Sequence, residues 1–479
     1  MKKYLPYLII FFSFLYIWYI IFHLNHNVFY SGDGGVKFGY IKQIVAGNIN
    51  TSVDNTFPVW VRDLYNEGYS PFNPPFFYNI DDNIHFSFPI YFPLLSSLMY
   101  KIAGSYGLYI IPSLSLLFSW IIMLLYVKKF YNFNYGIIIL VTYILATPLF
   151  LYGAIFWEHT LAVCLISIGI FYFTSVNHKN DLVGILSGFL FSLSVFFRPE
   201  AIVLVVLINI SLLLYHKTLK PSICFVLASS VSILLFFIVN YLIYNSILGI
   251  HGKQVVEEVS EISYLRKLVG INYLFFRFSP YVLFTIILFI FKILVNRVYS
   301  INKDGVLLIV LCIYCLIIPV LLPNIGGKQW GARYMLVLLP VFFMSITWIV
   351  EKARSFFLII VFTFLTAYSI YLNTVIGPQY LIKDYSSRVV PGLEFLKNSN
   401  VKIVIVNNDY ILQEFYDLSE SRIFFKLKDS NNELLFEKIK ECGYDKAIVI
   451  STDRISSINN QMIFDRKLGD YYFKVINID

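Results

Sequence analysis

Long apolar runs separated by short polar breaks dominate the first three quarters of the chain. A helix needs about 20 mostly apolar residues to cross a bilayer. Eleven such runs are placed at 4–24, 106–127, 135–153, 159–177, 182–197, 199–215, 222–244, 281–299, 305–323, 334–350 and 355–373. The fifth and sixth are short and read as a tight pair around Arg198-Pro199. The stretch 88–103 is also apolar, but Pro89 and Pro93 interrupt it, and it reads as an amphipathic helix on the outer interface. After about residue 388 the period changes. Runs such as Val401 to Val406, Arg422 to Phe425, Ala447 to Ile450 and Tyr471 to Ile476 predict strands, with helical spacing at Ile411 to Leu418 and Leu434 to Cys442.

The fold class is therefore a polytopic α-helical membrane protein of about 11 spans with a small C-terminal α/β domain. Residues 1–375 form the membrane domain, including a long first outer loop at 25–105, and residues 376–479 form the second domain.

Composition agrees. Of 479 residues, 58% are hydrophobic and 14% charged, against about 25% charged in soluble domains. The net charge is +8. From residue 374 onward basic and acidic residues nearly balance, at 14 and 15, so the excess lies in the membrane part. There it sets direction. Lys2 and Lys3, Lys128 and Lys129, His178 and Lys179, Lys217 and Lys220, Arg297 and Lys303, and Lys352 and Arg354 all fall on one side, which is the cytoplasmic side by the positive-inside rule. The N-terminus is then cytoplasmic, and eleven spans leave the C-terminal domain extracytoplasmic. No basic block is interleaved with aromatics on a soluble face, which excludes nucleic-acid binding. Five cysteines give no disulfide framework, and Cys312 and Cys315 lie inside an apolar run as small hydrophobes. No internal repeat is visible, which weighs against transporters built from duplicated halves.

Polar clusters gather at the outer ends of the spans. Ser31-Gly32-Asp33-Gly34-Gly35 follows the first span. Asp33 is either a solvated turn residue or a carboxylate that takes a proton from an attacking hydroxyl. Trp157-Glu158-His159-Thr160 opens the fourth span, either as acidic capping or as polar groups facing a cavity. Arg198-Pro199-Glu200 is either a structural ion pair or a phosphate and carboxylate contact. Gly326 to Tyr334 exposes backbone N–H groups beside Lys328 and Arg333, suiting either a departing phosphate or headgroup snorkelling. Arg277 and His251 are further basic candidates. His85 and the pair Asp81-Asp82 lie in the first loop, where two carboxylates can attract a divalent cation.

These clusters, in this order, resemble the GT-C glycosyltransferase superfamily, in particular bacterial relatives of protein O-mannosyltransferases and of the lipid A aminoarabinose transferase. The likeness rests on the Asp33 loop followed by Tyr40 to Gly47, the segment Phe88 to Gly104, Phe156 to His159, Arg198-Pro199-Glu200 and Gly326 to Tyr334. It covers residues 1–375. It implies an inverting transferase of the cell (inner) membrane that moves a sugar from a polyprenyl-phosphate donor to a hydroxyl acceptor on a glycan, lipid or protein. Asp33 would be the base and Glu158 a second catalytic acid. Lys328, Arg333 and Arg277 would bind the donor phosphate, supported by His159, Arg198, Glu200 and His85. Asp33 is followed by Gly34 where many protein mannosyltransferases carry a second acid. Rival readings are a polysaccharide polymerase or ligase and a lipid-linked sugar transporter or flippase.

Overall fold

The computed structural model describes residues 2–53, 57–80, 83–175, 180–215, 220–250, 252, 263–296, 303–322, 324–346, 356–428, 432–454 and 462–478. Asp81, Asp82, His178, Lys179, Lys217, His251, Arg297, Lys352 and Arg354 lie outside these residues. The chain packs as two units. One joins Met1–Phe22 to Leu108–Gln379, and the other joins His23–Gly107 to Tyr380–Asp479.

The first unit is a helical bundle. Its helices include Leu5–Phe22, Ile110–Phe130, Phe133–Leu145, His159–Ser175, Asp181–Phe197, Ala201–Tyr215, Lys220–Tyr244, Pro280–Asn296, Lys303–Leu321 and Phe356–Tyr371. Among the described residues, five helical stretches are long and apolar enough to cross a membrane, or six if one bent pair counts as a single span. Four shorter apolar helices accompany them: Phe133–Leu145, His159–Ser175, Asp181–Phe197 and Ala201–Tyr215. The helix Lys220–Tyr244 exposes large apolar side chains such as Leu227, Leu234 and Leu242, the pattern expected when lipid is the solvent.

Helices in lipid gain little from burying apolar area, so close backbone approach matters. Gly184 and Gly188 provide it. A methyl group added at Gly184 would sit 2.4 Å from the Pro221 carbonyl oxygen, and one at Gly188 would sit 2.2 Å from that of Phe225. The helix Asp181–Phe197 thereby packs directly against the backbone of Lys220–Tyr244.

Within this unit the structure differs from the sequence reading in three places. The polar stretch between the runs 222–244 and 281–299 holds a helix, Tyr264–Phe278, bent 107° from the next helix at Ser279-Pro280. The expected span at 334–350 opens instead as a short 3-10 turn, Arg333–Met335, and a six-residue helix, Leu338–Phe343. Tyr334, Met335 and every residue of Leu338–Phe343 are buried. The run 135–153 breaks after Leu145 and resumes as a single turn, Leu149–Tyr152.

One end of this unit is basic. Lys128 donates to the Tyr7 hydroxyl, Lys129 to the Ser175 carbonyl at 2.9 Å, and Lys220 pairs with Asp181 at 2.6 Å. Lys303 lies close enough to Lys129 to feel its charge. The helices His159–Ser175 and Asp181–Phe197 run from this end to the opposite one. Each has 17 residues, or about 25 Å of rise.

The second unit holds the first loop and the C-terminal sheet. Here Ser31 to Gly35, read as a turn from its glycines, instead begins a helix, Gly32–Val45. Ser31 is its N-cap residue, and Asp33 lies in the first turn, where a carboxylate favours the positive end of the dipole. A hairpin, β1 (Phe77–Ile80) and β2 (Asn83–Phe86), follows. The helix Tyr91–Ala103 buries Phe92, Pro93, Ser96 and Ser97 and exposes Leu94, Leu95, Leu98 and Ile102.

The C-terminal strands are β3 (Ile403–Val406), β4 (Ile423–Lys426), β5 (Lys446–Ser451), β6 (Met462–Leu468) and β7 (Tyr471–Asn477). They form one sheet in the order β4-β3-β5-β7-β6. Its first three strands are parallel and its last two antiparallel. The fully buried β3 explains its unbroken apolar run. β6 was not expected, because Asp465, Arg466 and Lys467 make it polar, as an edge strand tolerates.

Candidate functional site

Within the bundle, three separate sequence motifs meet at the end opposite the lysines. Arg198 lies between the helices that end at Phe197 and begin at Ala201. Pro199 there prevents the first helix from continuing. Nε of Arg198 donates to Glu200 at 2.6 Å, and its terminal nitrogen donates to Glu158 at 3.2 Å. All three side chains are nearly withdrawn from water, at 10% exposure for Arg198, 6% for Glu158 and 11% for Glu200. One guanidinium thus pairs with two carboxylates, in the planar geometry that suits arginine.

Arg333 reaches the same place from the other direction. Its guanidinium lies 5.5 Å from the Trp157 ring centroid and 5.1 Å from that of Tyr334. It donates to the Tyr334 hydroxyl at 3.3 Å. Arg198 also lies over the Tyr334 ring, at 5.5 Å. Tyr334 is therefore an aromatic shared by two cations, each attracted by the ring's negative face. His159 sits 5.1 Å from both the Tyr152 and Trp157 rings.

The loop carrying Arg333 is held by its own residues. Gly326 has φ +98° and Gly331 has φ +70°, conformations that side-chain-bearing residues rarely adopt. The Gln329 side-chain oxygen accepts from the Arg333 N–H at 3.1 Å. The Trp330 indole donates to Asn373 at 3.0 Å, and Asn373 in turn donates to the carbonyls of Ala146 and Ser369. Lys328 is half-buried on the same loop. Arg277, at the end of the helix Tyr264–Phe278, lies 5.8 Å from the Phe278 ring centroid.

The second unit contains Asp33 and His85. The Asp33 helix has one face of small residues, Gly32, Gly35 and Gly39. Asp33 and Lys37 are one turn apart on a different face, the i, i+4 spacing that favours an acid followed by a base. Lys37 is buried, with its ammonium 4.4 Å from the Phe88 ring centroid and 5.9 Å from that of Phe92. Lys37 escaped sequence reading, since its relation to Asp33 appears only once residues 32–45 are helical. His85 is buried on β2, its Nδ1 2.9 Å from the Thr51 hydroxyl. Among the described residues no group of three or more His, Cys, Asp or Glu is arranged to hold a metal ion.

The combination of an apolar helical bundle and a small mixed sheet is a fold shared with solved structures. Among solved structures it is similar to ArnT from Cupriavidus metallidurans bound to undecaprenyl phosphate, with 8% identity and a TM-score of 0.54 over 98% of this chain and 97% of that one. The apo state of the same protein matches with 8% identity and a TM-score of 0.54 over 97% and 96%. The apo oligosaccharyltransferase of Archaeoglobus fulgidus matches with 10% identity and a TM-score of 0.48 over 93% of this chain and 70% of that one. No family model matches the chain, and no curated protein matches it in sequence.

Proposed function

We propose that this protein is a membrane glycosyltransferase that moves a sugar from a polyprenyl-phosphate carrier to a hydroxyl acceptor. The observation that carries this reading is the charged cluster of Arg198, Glu158, Glu200 and Arg333, built at the helix ends of a GT-C bundle. A lipid phosphate travels at that level of a bilayer, and a group of fixed cations stabilises it as it departs.

Asp33 is the base in this reading. It takes the proton of the acceptor hydroxyl as that oxygen attacks the anomeric carbon, and the sugar–phosphate bond breaks with its electron pair leaving on the phosphate. A single displacement inverts the sugar centre. Lys328 and Arg333 contact the phosphate, with Arg277 near the path of the carrier. Glu158 and Glu200 orient Arg198, and His159 and His85 support their own clusters. Residues 1–375 hold this machinery and residues 376–479 form an extracytoplasmic domain. The N-terminus and the lysine-rich end face the cytoplasm across the cell's inner membrane.

A transporter or flippase would carry its charges near the middle of its helices. Here the charged groups flank helix termini, which supports the enzyme. The deciding experiment reconstitutes the protein in bilayers with a radiolabelled polyprenyl-phosphate sugar and a membrane-extract acceptor. Wild-type protein is expected to transfer label and release polyprenyl phosphate, and Asp33→Asn is expected to transfer none. Label crossing the bilayer without transfer would establish the transporter instead.

A further inference from the structure

The first loop and the C-terminal domain are far apart in sequence, yet they form one packed body. The glycine face of the Asp33 helix explains how. Gly32, Gly35, Gly39 and Lys42 recur at intervals of three, four and three residues, which places them on one side of a helix. Against that side lies a ledge formed by the short helix Asp409–Glu414 and the turn Tyr416–Leu418. A methyl group at Gly35 would sit 1.8 Å from the Gln413 carbonyl oxygen, and one at Gly39 would sit 2.0 Å from the Tyr416 ring. Gly32 comes 3.0 Å from the Gln413 Cβ by the same measure. Backbone meets backbone at Gly35, and at Gly39 the Tyr416 ring takes the place of a side chain.

Charge locks the far end. Lys42 pairs with Asp417 at 2.8 Å and also donates to the Asp417 carbonyl at 3.3 Å. The near end is held by Arg388, which makes two bonds to Glu414 at 2.6 and 2.8 Å and donates to the Phe29 carbonyl at 3.4 Å. At about 100° per residue, Asp33 lies about 140° round the helix from the centre of the gripped face. The ledge therefore holds the back of this helix and leaves the Asp33 side for other contacts.

We propose that the C-terminal domain is the positioning element for Asp33, with Gln413, Tyr416 and Asp417 setting the height and tilt of the helix that carries it. This rests on the reading of Asp33 as the base. The ledge touches no reacting atom and acts only through the helix.

The test measures transfer kinetics of full-length protein in bilayers, alongside thermal unfolding and the amount of folded protein. Gly35→Ala must push the helix away from the Gln413 carbonyl, and kcat is expected to fall on the order of 100-fold. The KM for the polyprenyl-phosphate sugar is expected to stay within about twofold, as for an interaction expressed only in the transition state. Lys42→Met and Asp417→Asn loosen only the half-exposed end and are expected to lower kcat about threefold to tenfold. Lys42→Arg is expected to restore it. Should Gly35→Ala not fold, the Lys42 and Asp417 variants decide. Folded variants with wild-type kcat overturn the positioning role while an inactive Asp33→Asn keeps the base assignment. Full activity in Asp33→Asn overturns both.

Discussion

Arg198 and Glu158, forty residues apart in the chain, form a buried ion pair at 3.2 Å, and Glu200 completes it from the other side of the same guanidinium. Removing the shared partner leaves two carboxylates facing each other out of water. Arg198→Met is expected to destabilise the protein by about 3–5 kcal/mol. Glu200→Gln, which leaves Arg198 paired with Glu158, is expected to cost less. Thermal unfolding in detergent with matched lipid measures both.

Arg333 works by shape as well as charge. Its flat guanidinium faces the Trp157 and Tyr334 rings, and lysine has no flat group to offer them. If Arg333 contacts the donor phosphate, Arg333→Lys is expected to lower kcat/KM for the donor about tenfold, and Arg333→Ala further. Equal activity for arginine and lysine at this position would argue against a planar contact.

Asn373 joins three parts of the bundle through one buried amide. It accepts from Trp330 and donates to Ala146 and Ser369. Asn373→Leu strands the indole N–H, at a cost of about 1–3 kcal/mol, while the Ala146 carbonyl keeps the Tyr281 hydroxyl. The loop 326–334 is expected to become more sensitive to limited proteolysis in this variant. A loop as resistant as wild type would place its anchor elsewhere.

The tie between Lys42 and Asp417 has a direction with pH. Burial alone pulls the Lys42 ammonium down, but the hydrogen bond and charge of Asp417, with Glu420, outweigh it and raise Lys42 above its ordinary 10.5. A raised lysine contributes stability that is complete below its unfolded value and disappears as pH climbs through the folded one. The difference in unfolding temperature between wild type and Lys42→Met is therefore expected to hold from about pH 6 to 9 and to shrink above the ordinary lysine range. A difference that shrinks already near neutrality would contradict the pairing.

Much of the fold was legible because its elements carry strong local signals. The apolar helices and the strand β3 are continuous apolar runs, β5 and β7 are largely so, and the basic loops select one end. Elements decided by tertiary packing were not legible. Gly32 to Gly35 have the composition of a turn, and only the Gln413 backbone explains why glycine is required inside a helix there. The helix Tyr264–Phe278 mixes Arg266, Lys267 and Asn272 with its apolar residues and so falls below the hydropathy of a span. Glu158, Arg198, Glu200 and Arg333 were each visible as charges at span ends. Their meeting round Tyr334 was not, because nothing local links residues 158, 198 and 333.

The two 17-residue helices between the lysine end and the arginine cluster act as a ruler. At about 25 Å they are shorter than the average hydrocarbon layer of about 30 Å. A thick bilayer must thin around this protein or drag its charged cluster inward, at a fraction of a kcal/mol for each ångström of mismatch. Acyl-chain length in the surrounding lipid thus becomes a control on where the arginines stand relative to water.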